Sequence, residues 1–225
     1  MIGGLSWESS QIYYRILNEK VNAALGGFHS AKCVLESVDF AEIEKLQAKD
    51  DWAAMDQHMI KAARNLENAK AELIIVCANT MHMCSKAIIE NINIPFLHIA
   101  RETAKAIEVA GLKNMLLLGT KFTMEKAFFK TILQQEFGIE VIIPNSSDRD
   151  RIHSIIYQEL VQGKIHSQSK EIFKQIISKA VNDGAEGVIL GCTEIPLLIQ
   201  SRDVDIPIFD TTRIHAEAAV DFALK

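Results

Sequence analysis

The chain has 225 residues, 48% of them apolar and 24% charged, with a net charge of −5 and a pI near 5.8. That length buries a substantial core in one large or two small domains. The acidic balance gives no electrostatic reason to expect nucleic acid or an anionic membrane as a partner. No apolar run approaches a membrane span, the start MIGGLSWESS lacks the features of a signal peptide, and four cysteines are too sparse for a disulfide framework. The cytoplasm is the expected compartment.

In chain order, short β-branched or leucine-rich runs alternate with longer amphipathic segments. Strands are expected at 33–38 (CVLESV), 73–77 (LIIVC), 94–97, 115–119 (MLLLG), 140–143, 187–191 (GVILG) and 206–209. Helical patterns lie between them at 50–70, 98–111, 123–137, 151–161 and 167–183. Short strands separated by helices form βαβ units and hence parallel sheets. The apolar runs do not alternate with polar residues, as expected when helices cover both faces of a sheet. The fold class is therefore α/β.

An internal repeat organises these units. Gly4 aligns with Gly119, Trp7 with Phe122, Tyr13 and Tyr14 with Phe128 and Phe129, and Cys77 with Cys192, all at an offset of 115. Downstream, IPFLHIARETAKAI matches IPIFDTTRIHAEAA at an offset of 112, placing Arg101 on Arg213. Such agreement across separated blocks indicates a duplication. The expected architecture is two pseudo-symmetric parallel-sheet αβα domains with the active site in the cleft between them. The first comprises 1–97 plus 209–225 and carries Cys77, and the second comprises 98–208 and carries Cys192.

In open α/β sheets, ligands bind beyond the carboxyl ends of the strands. Cys77 and Cys192 each end an apolar run, which predicts two thiols on opposite sides of a shared cleft. That arrangement suits removal of a proton from one face of a carbon and delivery to the other, as a racemase or epimerase requires. Polar donors follow both thiols: Asn79 and Thr80 after the first, Thr193 and Glu194 after the second. A helix beginning there would offer free N–H groups to a carboxylate and draw the thiol pKa below its usual value. The turns holding Ser6, and Thr120 with Thr123, could bind another anionic group in the same way.

At these residues the sequence resembles the aspartate/glutamate racemase family of cofactor-independent, two-cysteine enzymes. The resemblance rests on GGLSWESS at 3–10, SVDFAEIE at 37–44, CANTMH at 77–82, GTKFTME at 119–125, GCTEIPLLI at 191–199 and FDTTRIHAEAAV at 209–220. It is nearest to the broad-specificity amino-acid racemases acting on aspartate and glutamate. It implies that Cys77 and Cys192 are the acid/base pair, Cys77 serving the D and Cys192 the L enantiomer. It further implies that Asn79, Thr80 and Thr193 bind the α-carboxylate and that Lys164 meets the distal carboxylate. No cofactor is implied, and proteins of this kind are commonly homodimers. The sequence departs from the family in three places. Only Met1 and Ile2 precede Gly3, Glu194 stands where glutamate racemases have a histidine, and SVDFAEIE lacks the arginine of dedicated aspartate racemases.

The remaining candidates divide between packing and chemistry. Cys33 lies inside an expected strand and reads as core. His82 and Cys84 have no second Cys/His cluster to complete a metal site, and no metal is expected. His82 reads either as a substrate-orienting group or as a helix-face histidine capping a neighbour. Glu194 would pair with a substrate ammonium, tune Cys192, or simply satisfy a helix start. The function expected is racemisation of a small acidic amino acid by two-base proton transfer. The rivals are a hydantoin racemase or another isomerase or lyase of the same superfamily, and a non-catalytic amino-acid binder or redox sensor.

Overall fold

In the computed structural model, which describes residues 1–225, the chain forms two α/β units. The first comprises Met1–His98 and His215–Lys225, and the second Ile99–Ile214. Residues 209–214, expected with the first domain, lie in the second. The reason is that β6 (Ile208–Asp210) is hydrogen-bonded to β5 (Gly187–Gly191), so the chain leaves the second unit only inside the last helix. No helix is long and apolar enough to cross a membrane.

The second unit holds a four-stranded parallel sheet. Its strands are β3 (Asn114–Gly119), β4 (Glu140–Ile142), β5 and β6, in the order β4-β3-β5-β6. The register pairs Leu117 with Ile189 and Gly119 with Gly191. Successive side chains of a strand face opposite sides. Leu116, Leu118, Val188 and Leu190 pack against the helices Ser146–Gln158 and Ser167–Asn182, while Met115, Leu117 and Ile189 pack against Ile99–Val109 and Ala127–Phe137. Burial on both faces is why these runs are apolar throughout. Each fully buried Leu or Ile contributes roughly 1.5–3 kcal/mol.

The first unit repeats this order with shorter ladders. β1 (Ile2–Gly3) pairs in parallel with β2 (Glu36–Ser37), and single parallel bridges join Ile2 to Val76 and Ile74 to Phe96. The backbone bonds continue across it, Ile2 N–H to the Ile75 carbonyl at 2.9 Å and Leu97 N–H to the Ile74 carbonyl at 3.1 Å. The expected strand 33–38 is confined to Glu36–Ser37 because the ladder with β1 is two residues long. Cys33 lies before that ladder and is exposed, not core. Ile2, Ile74 and Val76 pack on the crossover helix Trp52–Asn68, whereas Ile75 and Cys77 pack on α1 (Trp7–Leu25) and the last helix, Thr211–Ala223.

Helix ends follow local capping. The helix expected from 151 begins at Ser146, because the Asn145 side chain accepts the Asp148 N–H at 3.0 Å. The helix expected over 123–137 is broken at Lys126, whose backbone is extended, giving Lys121–Glu125 and Ala127–Phe137.

Candidate active site: two thiol-bearing turns

In the first unit Cys77 follows the bridge at Val76, its N–H donating to the Ile2 carbonyl at 2.8 Å. The thiol is fully buried among Tyr13, Ile16, Leu17, Ala216 and Val220. Two buried side chains hold the carbonyls of this turn. Ser9 Oγ donates to the Cys77 carbonyl at 2.5 Å, and His82 Nδ1 donates to the Ala78 carbonyl at 2.9 Å. Asn79 is buried and Thr80 half-buried, and they open a 3-10 turn, Thr80–Cys84, which leads into a five-residue helix, Ser85–Ile89. Ser6 caps α1 by accepting the Ser9 N–H, with φ at 83°, a left-handed value that a residue bearing a Cβ adopts only at a cost. Ser10 Oγ accepts the Gly4 N–H at 2.9 Å and so secures the same turn.

In the second unit Cys192 follows β5 and is buried beside Ile195 and Leu198 in the layer of the crossover helices. Its Sγ donates to Glu194 Oε2 at 2.9 Å, and the Thr193 hydroxyl donates to the same oxygen at 2.7 Å. Thr120 caps the helix Lys121–Glu125. Thr123 lies against the strand ends, since a Cβ on Gly119 would meet its side chain at 3.0 Å and one on Gly191 would do the same. Thr123, Cys192, Thr193 and Glu194 are thus gathered at the carboxyl ends of β3 and β5. Lys164 is exposed after Gly163, its ammonium donating to Gln162 Oε1 at 2.7 Å, and is not brought into that group by a hydrogen bond.

The expected lowering of the thiol pKa values is not what the structure shows. The helices after the cysteines are a 3-10 turn and a five-residue helix on one side and a four-residue helix, Ile195–Leu198, on the other. Such short segments carry little dipole, while burial penalises the charged thiolate. Burial pushes Cys77 up to about 12. Cys192 is raised well above its ordinary value, first by burial and then by the charge and hydrogen bond of Glu194. Both rest as thiols. His82 is fully buried and its Nδ1 meets the Ala78 carbonyl. No group of three or more His, Cys, Asp or Glu is arranged to hold a metal ion.

The two cysteines at the equal offset are packed by different helices. Cys77 lies with Tyr13, Leu17, Ala216 and Val220, and Cys192 with the residues of the crossover-helix layer. Each stands just past the last ladder pair of its strand. Sequence reasoning also passed over Ser9 and Thr211, whose hydroxyls donate to the Cys77 and Leu190 carbonyls. Both lie in quoted blocks, WESS and FDTTR, as small hydroxyl residues at helix starts.

The family model described as Asp/Glu/Hydantoin racemase matches residues 2–219, and the chain belongs to that family. It is an isomerase, a cofactor-independent amino-acid racemase. A candidate Asp/Glu racemase from Yersinia pestis of known crystal structure is 49% identical, with 100% of this chain and 97% of that chain covered and a TM-score of 0.95. An aspartate racemase homologue from Pyrococcus horikoshii OT3 is 35% identical over 100% and 97% of the two chains, with a TM-score of 0.87. The broad specificity amino-acid racemase RacX of Bacillus subtilis (strain 168) is 26% identical over 172 residues, 76% of this chain and 73% of that one.

Proposed function

We propose that the chain interconverts the L and D forms of an acidic amino acid, aspartate or glutamate, with Cys77 and Cys192 as the two acid/base groups. The observation that carries this reading is the recurrence of a buried thiol beside hydroxyl or amide donors at the strand ends of both units. A Yersinia relative of the Asp/Glu racemase type and an aspartate racemase homologue, both aligned over the whole of this chain, support the substrate class.

In the mechanism proposed, one cysteine as thiolate takes the α-proton and the other, as thiol, delivers a proton to the opposite face. Asn79, Thr80 and Thr193 hold the α-carboxylate, so that negative charge spreading onto it as the α-proton leaves is met by fixed donors. Thr120, Thr123 and Ser6 supply further donors, and Lys164 is assigned to the distal carboxylate. Glu194 accepts the Cys192 proton when that thiol acts as base, since its carboxylate already receives the Sγ hydrogen bond.

The test is incubation with each enantiomer of aspartate and glutamate in deuterated water, with α-deuterium read by NMR and handedness by chiral chromatography. Label in both enantiomers with loss of optical rotation is the expected result. Absence of label from all four compounds would refute the reading. Label in a 5-substituted hydantoin alone would move the substrate class.

A further inference from the structure

Cys77 is held differently from an ordinary strand-end residue. The carbonyl before the 77–78 peptide bond and the carbonyl before the 78–79 bond each receive a hydrogen bond from a buried side chain on another element. Ser9 comes from the first turns of α1, and His82 from the 3-10 turn. A carbonyl only accepts, so His82 carries its proton on Nδ1. Its Nε2 is a bare, buried lone pair with no hydrogen-bond partner. The ring is locked among Phe96, His98 and His215, whose ring centroids lie 5.6, 4.8 and 5.3 Å away.

We infer that Ser9 and His82 are positioning residues for Cys77, clamping the two successive peptide planes that present the thiol and the donors after it. A peptide unit is planar, with its C=O and N–H pointing in opposite directions. Fixing the Cys77 and Ala78 carbonyls toward Ser9 and His82 therefore turns the N–H groups of Ala78 and Asn79 the other way. Each N–H is thereby held in a fixed direction next to Cys77 in the chain, as donors that hold a carboxylate or a developing anion must be. An apolar residue in this buried place would leave the Ala78 carbonyl without its side-chain donor, and the Nδ1–H bond supplies it.

This inference rests on the racemase reading for its kinetic consequence, and one measurement is independent of it. Ser9→Ala and His82→Gln each remove a clamp, because a glutamine amide extends to the Nε2 position. Ser9→Thr keeps the hydroxyl, and His82→Asn places an amide N–H at the Nδ1 position. Asparagine and glutamine disturb the core alike, so their difference reports the hydrogen bond. The first expected result is a rise of at least fivefold in iodoacetamide labelling of Cys77, resolved by peptide mass spectrometry, in Ser9→Ala and His82→Gln. Ser9→Thr and His82→Asn should label at close to the wild-type rate. The second is a tenfold or greater fall in kcat with KM within about threefold, restored by the same conservative variants. Equal labelling in His82→Asn and His82→Gln, together with wild-type labelling in Ser9→Ala, overturns the clamp. If the labelling pattern holds but the wild-type chain exchanges no α-proton, the racemase reading fails and the clamp stands.

Discussion

The two thiol-bearing turns share one strand order and almost nothing else. Cys77 is sealed between α1 and the last helix, its turn fixed through backbone carbonyls by Ser9 and His82. Cys192 faces the crossover-helix layer and is bound directly, thiol to carboxylate, by Glu194. One thiol is thus governed mainly by burial and the other by burial plus an adjacent negative charge. Each unit supplies one buried thiol at a strand end, and the residues around each make the two unequal. In the racemase reading proposed, that inequality means each thiol can be altered separately.

The largest effect that sharpens this comparison comes from removing each thiol in turn. Cys77→Ser and Cys192→Ser should each slow racemisation by about 10²–10⁴-fold, the range for losing a general acid/base. Cys77→Ser should still admit solvent deuterium into the L enantiomer, and Cys192→Ser into the D enantiomer. Label lost equally from both enantiomers in both variants would erase the distinction between the turns.

Acid should separate the units next. The first unit buries His82 and His215, whose pKa values burial lowers from 6.5 to about 4 and about 3, whereas Leu197 stands at the sequence-repeat position of His82. Burial holds His215 neutral, with Nδ1 accepting from the Tyr13 hydroxyl at 2.8 Å and Nε2 donating to the Leu97 carbonyl at 3.1 Å. The unfolded chain takes up protons that the folded unit refuses. Stability is therefore complete above about pH 6.5 and declines as pH falls toward 4, by about 3 kcal/mol from His82 alone. Urea denaturation at pH 7 and pH 4.5 should show the loss, and hydrogen exchange should place the first opened amides in residues 1–98.

Glycine substitutions come third. Gly4 and Gly119 align in the sequence repeat, yet Gly4 has φ at +77° and a Cβ there would stand 2.2 Å from the Val38 carbonyl. A Cβ on Gly119 would meet the Gly191 carbonyl at 2.9 Å with no positive φ. Gly119→Ala should cost about 1–3 kcal/mol by overpacking. Gly4→Ala should cost a further 1–2 kcal/mol or so for the left-handed backbone. Equal melting losses would mean that the two turns are more alike than their backbones indicate.

The smallest effect is electrostatic. Glu194→Gln removes the charge that raises Cys192, so the limb of the pH–rate profile set by Cys192 should move to lower pH while the limb set by Cys77 stays. A shift of both limbs would show that the carboxylate acts on the whole site.

The second sheet was legible strand by strand, because 115–119 and 187–191 are apolar throughout and only doubly covered strands are built that way. The first was less so. The run 33–38 has the composition of a strand, but its partner ladder is two residues long, and no pattern within the run reports the length of its partner. The thiols were found from their place after apolar runs and the donors that follow. Ser9 was not, since a serine early in a helix looks the same whether it caps its own backbone or reaches a carbonyl 68 residues away.

By itself, then, the sequence determined the α/β class, the two cysteines that end apolar runs and the family, because these depend on residue type and spacing. Only the tertiary structure decided which helices cover each thiol, the side-chain hydrogen bonds to the carbonyls of the Cys77 turn and the carboxylate on Cys192. It also decided that both thiols rest protonated, because pKa depends on burial, and burial is a property of what packs from elsewhere in the chain. The two cysteines are the plainest case. They end apolar runs of the same kind, yet Cys77 is covered by α1 and the last helix and Cys192 by the crossover-helix layer, because what covers a strand end comes from elsewhere in the chain.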